Sequence, residues 1–151
     1  MTATISKNKK SNWGISDIPD LEGKTVFITG ANSGLGYYTA KALAEKNAQV
    51  LLACRSLEKA NSAIEKLKSL NPEGKFTPIE LDLSDLNNVS EIGSTISSRL
   101  EKLDLLINNA GIMHPPKTLS AQGFEIQFAV NHLAYAFNNK ISSFNGKKGK
   151  L

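Results

Sequence analysis

Four short apolar runs alternate with longer amphipathic segments along this chain. The runs are candidate strands at residues 25–29, 49–54, 76–81 and 104–107. Between them, apolar residues recur at helical spacing and predict helices over about 35–46, 57–70 and 86–103. The second run, QVLLAC, is apolar throughout, which is typical of a strand buried on both faces of a parallel sheet. This alternation predicts right-handed βαβ units and an α/β fold with a doubly wound parallel sheet.

The two ends of the chain differ in composition from its centre. Residues 1–12 are polar and predict a disordered basic tail. Trp13 opens the predicted folded portion, 13–137, as a core anchor or as part of an interface, and we favour the core. A last helix is predicted over Phe124–Phe137 from its apolar periodicity. Residues 138–151 are rich in Asn, Ser, Lys and Gly and predict a divergent polar tail.

The positive charge of the chain lies in those tails. At 151 residues the chain fits one domain. Six of its 18 Lys and Arg residues lie in 1–10 and 141–151, so the remainder holds 12 against 14 Asp and Glu, a net of −2. A nucleic-acid reader needs a basic face on its folded part. We therefore expect no nucleic-acid partner.

The chain offers little for metal binding or membrane insertion. Its single cysteine, Cys54, excludes an internal disulfide and predicts a reducing, cytoplasmic location. His114 and His132 have no partner at metal-ligand spacing, so we expect no metal. No apolar run approaches the roughly 20 residues that cross a bilayer, and the N-terminus lacks the apolar core of a signal peptide.

Polar segments follow all four predicted strands. They are TGANSGLG at Thr29–Gly36, the pair Cys54 and Arg55, Asp82, and the run NNAG at 108–111. The carboxyl ends of parallel strands share one edge, where a doubly wound sheet binds its ligand. Glycines before a helix let backbone N–H groups approach an anion, which the helix dipole also attracts. The edge is therefore predicted to bind a phosphate-containing ligand.

The order and spacing of these motifs resembles the short-chain dehydrogenase/reductase family. The resemblance covers about residues 20–137, and its residues are T-G-x-x-x-G-x-G from Thr29, LDLS at 81–84, NNAG at 108–111 and VNHL at 130–133. The phrases TGANSGLG and LLACR are similar to the retinol-dehydrogenase-like branch. The glycine spacing disfavours a sugar-nucleotide epimerase. The resemblance implies an incomplete Rossmann-like sheet of about four strands with flanking helices.

The resemblance also implies a role for each matching residue. The glycines would line a pyrophosphate, Asp82 and Leu83 would contact adenine, and the segment 109–111 would pass the riboses while Asn108 ties strands together. The implied cofactor-binding residues are Gly30, Asn32, Ser33, Gly34, Leu35, Gly36, Arg55, Asp82, Leu83, Asn109, Ala110 and Gly111. A purely structural alternative for Asp82 is a cap on the following helix.

Arg55 distinguishes the two nicotinamide cofactors by charge. An NAD site usually carries a carboxylate after the second strand, whereas an arginine nearby suits the 2′-phosphate of NADP. Here Cys54 stands in the place of the carboxylate, and the Arg55 guanidinium can hold a phosphate in bidentate fashion. We expect NADP rather than NAD, with a merely solvated Arg55 as the alternative.

The catalytic pair that the resemblance implies, a tyrosine with a lysine four residues later, is not found after Asn131. Asn131 itself matches the helix asparagine that supports the family's lysine through a water, with a structural role as its alternative. Tyr135 is followed at the fourth place by Asn139. Tyr37 and Lys41 have the spacing but lie on the first helix, so we interpret that match as chance.

Two hypotheses follow from these motifs. The first is the cofactor-binding portion of a dehydrogenase or reductase, truncated before its catalytic Tyr-x-x-x-Lys. Its chemistry would be hydride transfer between NADP(H) and a small carbonyl or alcohol, if a full-length enzyme exists. The alternative is a catalytically inert protein that only binds the dinucleotide. The sequence leaves the oligomeric state open.

Overall fold

The computed structural model of the protein describes residues 14–136. Both predicted tails, 1–12 and 138–151, lie outside the described residues, as do Trp13 and Phe137. A 3-10 turn at Ile15–Asp17 leads into the first strand.

Strands and helices alternate as the periodicity predicts. The strands are β1 (Thr25–Thr29), β2 (Gln49–Cys54), β3 (Lys75–Glu80) and β4 (Leu105–Ile107). The first three helices are α1 (Gly34–Ala44), α2 (Leu57–Leu70) and α3 (Leu86–Arg99). All these elements lie within a few residues of their predicted bounds.

The four strands form one parallel sheet in the order β3-β2-β1-β4. In the register, Ile28 of β1 pairs with Leu52 of β2 on one side and with Ile107 of β4 on the other. The strand order reverses between β1 and β4, which creates the switch point where such sheets open a crevice. The predicted α/β fold with a doubly wound, Rossmann-like sheet is confirmed.

Alternate residues of each strand pack into different layers. Val26 and Ile28 of β1 belong to a buried cluster with Ala40 of α1 and Leu67 of α2. Phe27, between them, points into the cluster on the opposite face, toward α3. All three β1 side chains are fully buried, as a parallel sheet covered on both faces requires.

Two side chains cap the helices beside the carboxyl edge of the sheet. The Ser56 hydroxyl accepts a hydrogen bond from the Lys59 amide at the start of α2. Asp85 caps α3 by accepting from the Asn87 amide at 2.9 Å. The prediction for α3 extended to about residue 103, but the helix ends at Arg99. Leu103 is nonetheless buried in the core, which explains why it continues the apolar pattern.

The last helix differs from its prediction. Instead of one regular helix over 124–137, α4 covers Ile126–Phe128 and passes directly into a π-helical segment at Ala129–Leu133. The helix starts late because the Glu125 carboxylate accepts from the amides of Gln127 and Phe128, at 2.8 and 2.7 Å. Single π-helical turns inside α-helices frequently occur at functional sites. This one contains Asn131.

Candidate functional site

A cavity of about 280 Å³ opens at the carboxyl ends of the strands. Polar segments from all four strands meet there, as their shared edge predicts. Seven of the predicted cofactor residues line it: Gly30, Asn32, Arg55, Asp82, Leu83, Ala110 and Gly111. Ile112, Ile126 and Val130 add an apolar wall that the motifs did not indicate. Ser33, Gly34, Leu35, Gly36, Asn109 and Asn131 lie outside this lining.

Two glycines allow the turn after β1 to approach the segment after β4. A Cβ on Gly30 would lie 2.9 Å from the Cβ of Ala110, and Gly30 has a positive φ of 67°. A Cβ on Gly36 would lie 2.5 Å from the side-chain nitrogen of Asn109 and 2.7 Å from the Gly30 carbonyl oxygen. Gly34 differs, because its φ of 55° favours glycine while the space around it is open. The first and last glycines are therefore required for close packing.

The Thr29 hydroxyl joins the ends of β1 and β4. Its oxygen accepts hydrogen bonds from the amides of Asn109 and Ala110, both at 3.0 Å. In return the Asn109 side chain donates to the Thr29 carbonyl at 2.9 Å. The strand-tying role implied for Asn108 stays a prediction, and these bonds give such a role to its neighbour Asn109. The side chain of Asn109 faces the glycine turn and positions it.

At the end of β2, the buried thiol of Cys54 is followed directly by the exposed side chain of Arg55. Burial raises the pKa of the Cys54 thiol, and hydrogen bonds from the backbone of Ala31 and Asn32 act in the opposite direction. Arg55 is exposed and lines the cavity. Within residues 14–136 no carboxylate forms an ion pair with it. Its guanidinium is therefore available to an anionic ligand.

Asp82 shapes the segment after β3. One of its carboxylate oxygens accepts from the Ser84 amide at 2.8 Å and from the Ser84 hydroxyl at 2.6 Å. Its own amide donates to the Asn88 side chain at 2.9 Å. Because Asp85 occupies the N-cap of α3, Asp82 is not the helix cap that the structural alternative proposed. It holds a tight turn whose backbone lines the cavity.

Asn131 acts on the loop after β4. Its side-chain oxygen accepts from the Ile112 amide at 2.9 Å, and its nitrogen donates to the Ile112 carbonyl at 2.7 Å. Both bonds hold the residue that follows Gly111 along the cavity wall. A structural role for Asn131 is thus visible in the described residues. The sequence offered no signal for this interaction, because Asn131 binds the backbone amide and carbonyl of Ile112 and not its side chain.

The two tyrosines tested against the Tyr-x-x-x-Lys pattern, Tyr37 and Tyr135, have different surroundings. Tyr37 packs against the α1 and α2 core, and the Lys41 ammonium lies 3.7 Å from the carboxylate of Glu45, the residue that ends α1. This pairing at the end of α1 agrees with a chance Tyr-x-x-x-Lys match. The Tyr135 hydroxyl is buried near Thr29 without a well-formed hydrogen bond, and burial raises its pKa.

The described residues include neither a metal-binding cluster nor a helix able to span a membrane. Among residues 14–136, no three His, Cys, Asp or Glu side chains are grouped closely enough to hold a metal ion. The helices in the same part of the chain are all too short or too polar to cross a membrane.

Comparison with known proteins identifies relatives across most of the chain. The sequence profile of the short chain dehydrogenase family matches residues 24–142. A short chain dehydrogenase/reductase of Colletotrichum higginsianum is 42% identical over 127 residues, covering 82% of this chain and 32% of that protein. Retinol dehydrogenase 13 of Homo sapiens is 40% identical over 115 residues, covering 76% of this chain and 35% of its own length. These relatives include the predicted retinol-dehydrogenase-like branch.

Solved structures share the same fold. A crystal structure of a protein from Mycobacterium Paratuberculosis superposes with a TM-score of 0.75 at 38% identity, covering 87% of this chain and 46% of that one. A metagenomic short-chain oxidoreductase solved in complex with NADP gives a TM-score of 0.69 at 24% identity, covering 82% and 57%. The chain spans about a third of the length of the two curated relatives named above.

Proposed function

This chain belongs to the short-chain dehydrogenase/reductase family, and we propose that its folded portion, residues 13–137, binds NADP(H) for hydride transfer to or from a carbonyl or alcohol. The observation that carries the proposal is the cavity at the carboxyl edge. Gly30, Arg55 and Asp82, which follow three different strands, all line it. This edge is where a doubly wound sheet binds a dinucleotide.

The glycine turn fits a pyrophosphate. Because Gly30 and Gly36 have no side chains, the backbone between β1 and α1 comes close to the segment after β4. The turn opens an 11-residue helix, whose N-terminal N–H groups attract a phosphate. Asp82 and Leu83 would then contact the adenine, while Ala110 and Gly111 would pass the riboses. Bound there, the nicotinamide would supply the hydride.

The charges around Asn32 support NADP over NAD. Asn32 lines the main cavity and also a second one of about 260 Å³ beside α2. Lys59 and Lys66 line this second cavity, together with Ser62 and one acidic side chain, Glu58. Within the described part of the chain, neither lysine forms an ion pair. Together with Arg55 in the main cavity, these unpaired positive charges on either side of Asn32 support a ligand that carries the extra phosphate of NADP.

Calorimetric titration with NADPH and NADH tests this proposal. We expect tighter binding of NADPH, and we expect Arg55→Gln to weaken NADPH binding about tenfold to a hundredfold, the range for hydrogen bonds to charged groups. The affinity for NADH should change little. Lys68→Gln removes the same charge from an exposed position in the last turn of α2 and serves as the control. Equal losses for both cofactors would contradict the NADP preference, and no binding of either would overturn the proposal.

A catalytically inert dinucleotide-binding protein is the second candidate function. It is favoured because the Tyr-x-x-x-Lys match among the described residues, Tyr37 and Lys41, lies on α1 and does not line the cavity. An NADPH consumption assay over a panel of aldehydes and ketones separates the two functions. Turnover that Asn131→Ala abolishes would exclude the inert protein. A cytoplasmic location stays a prediction, supported by the single free thiol of Cys54.

A further inference from the structure

The loop before α4 folds back onto the start of α3. Gln122, which is half-buried, makes two hydrogen bonds there. Its side-chain oxygen accepts from the Leu86 amide at 3.0 Å, and its nitrogen donates to the Asp85 carboxylate at 2.8 Å. A third bond runs from the Ala121 amide to the Ser84 carbonyl at 3.2 Å. The Leu86 amide is one of the N–H groups that a helix leaves unpaired in its first turn. Gln122 therefore completes the cap of α3 from 36 residues away.

The loop that carries Gln122 is itself fixed by short-range bonds. The buried Ser120 hydroxyl accepts from the Phe124 amide at 3.1 Å, and the Ser120 amide donates to the Phe124 carbonyl at 2.8 Å. Gly123 has a φ of 80°, a conformation that glycine adopts without strain. A tight turn thus presents the glutamine toward α3, and the side chain is held in place by the chain around it.

This contact lies directly behind one wall of the nucleotide cavity. Asp82, Leu83 and Ser84 line the cavity, and Asp85 and Leu86 follow them without a break. The hydrogen bond from Gln122 is also the main reason why the pKa of the Asp85 carboxyl is lowered. Four residues after Gln122, Ile126 also lines the cavity. The loop that carries Gln122 therefore leads directly into another residue of the lining.

We propose that Gln122 is a positioning residue for the adenosine half of the dinucleotide. It holds the turn at Asp82–Ser84 in the conformation that receives the adenine, and it does so without touching the ligand. The inference rests on the proposed NADP(H) binding and adds a residue that no motif indicates.

The test compares Gln122→Ala with Gln127→Ala. Gln127 is a matched control, because its side chain also accepts one backbone N–H, that of His114 at 2.9 Å, and within the described part of the chain no side-chain hydrogen bond joins it to residues 82–86. The probes are NADPH and adenosine 2′,5′-bisphosphate, which carries only the adenosine half. We expect Gln122→Ala to weaken both probes by the same factor, about five- to tenfold, the size of one net hydrogen bond. Gln127→Ala should change neither affinity more than about twofold.

Amide hydrogen exchange separates local positioning from general destabilisation. Gln122→Ala should speed exchange at Leu86 and its neighbours while the amides of α2 keep the protection of the unaltered protein. If Gln122→Ala does not fold, Gln122→Glu replaces it, since it keeps the acceptor for the Leu86 amide but sets a carboxylate against Asp85. Equal affinities in the two glutamine variants would overturn this inference alone. An unaltered chain that binds neither probe would overturn the proposed function and this inference together.

Discussion

The two ends of the sheet treat charge in opposite ways. At the amino end, Asp104 accepts from the Thr25 amide at 2.9 Å and pairs with Lys24 and Lys102 at 3.0 and 3.2 Å. At the carboxyl end, no ion pair within residues 14–136 involves Arg55 or Asp82. Hydrogen bonds to backbone groups position the chain there instead, several of them from neutral side chains such as Thr29 and Asn109. Charge that is neutralised stabilises the fold, and charge left unpaired is available to a ligand.

Four neutral side chains at the carboxyl end form the same kind of contact. The Thr29 hydroxyl and the amides of Asn109, Asn131 and Gln122 each bind backbone groups of a segment distant in sequence. A neutral bond positions a loop without adding a fixed charge that would compete with the ligand. The three predictions below test this difference between the ends, in order of decreasing effect.

Gly36→Ala should have the largest effect, because it forces apart two segments of the carboxyl end. The new Cβ would meet the Asn109 side chain at 2.5 Å and the Gly30 carbonyl at 2.7 Å. Overpacking of this kind costs about 1–3 kcal/mol, which denaturant unfolding measures. Gly34→Asn is the control, since its surroundings are open and asparagine tolerates a positive φ. Equal stability of the two variants would show that the close approach is not required.

Asp104→Asn should have an intermediate effect that depends on pH. Burial of the Asp104 carboxyl acts to raise its pKa, but the Thr25 amide and the two lysines outweigh it and lower the pKa to about 2, from 3.8. A lowered folded-state pKa stabilises the protein above pH 3.8, and this contribution is lost as the pH falls toward 2. At neutral pH we expect the variant to lose about 1 kcal/mol of unfolding free energy.

Urea unfolding at pH 7 and at pH 2.5 checks this expectation. The difference between Asp104→Asn and the unaltered protein should shrink at the lower pH, because below pH 3.8 the unfolded chain binds a proton that the folded carboxyl takes up only near pH 2. Glu22→Gln breaks a pair in which both side chains are more than half exposed, Glu22 with Lys75, and should change stability by only a few tenths of a kcal/mol. A difference for Asp104→Asn that stays constant with pH would contradict the titration.

Tyr135→Phe should have the smallest effect. The Tyr135 hydroxyl is buried at the carboxyl end without a well-formed hydrogen bond. Because an unpaired buried hydroxyl is costly, its removal should leave the unfolding free energy unchanged or raise it by up to about 1 kcal/mol. Thermal or denaturant unfolding beside Tyr38→Phe, whose ring is exposed, provides the comparison. A loss of more than about 1 kcal/mol would show that the contact with Thr29 is a stabilising bond.

Local sequence patterns predicted the fold where they act alone. The apolar run at β2 and the apolar periodicity of α2 both agree with the structure, because buried strands and amphipathic helices depend mainly on which side chains face the core. The pattern failed at the last helix, where the Glu125 cap sets the start and a π-helical turn follows. The buried residues there are Ala129, Val130 and Ala134, while Phe124 and Phe128 are exposed. Periodicity cannot detect the cap or the π-helical turn.

The sequence predicted which motif residues come together at the candidate site, but not which side chains hold them in position. Gly30, Asp82 and Ala110 are placed together because each follows a parallel strand, which topology alone requires. The strand-tying role of Asn109 depends on its side chain reaching the Thr29 and Gly30 carbonyls. Gln122 depends on a loop that returns to α3. Such contacts link positions far apart in the chain, so no local pattern encodes them.

The Thr29 junction has a consequence for the order in which the protein folds. Its bond to the Asn109 amide spans 80 residues, whereas β1 and β2 pair across a single intervening helix. Closing a long loop costs more entropy than closing a short one, and contacts distant in sequence form slowly. The β1-α1-β2 unit can therefore assemble early, but the glycine turn acquires its final shape only when β4 docks beside β1. The glycine turn therefore lies near the beginning of the sequence but reaches its final structure late in folding.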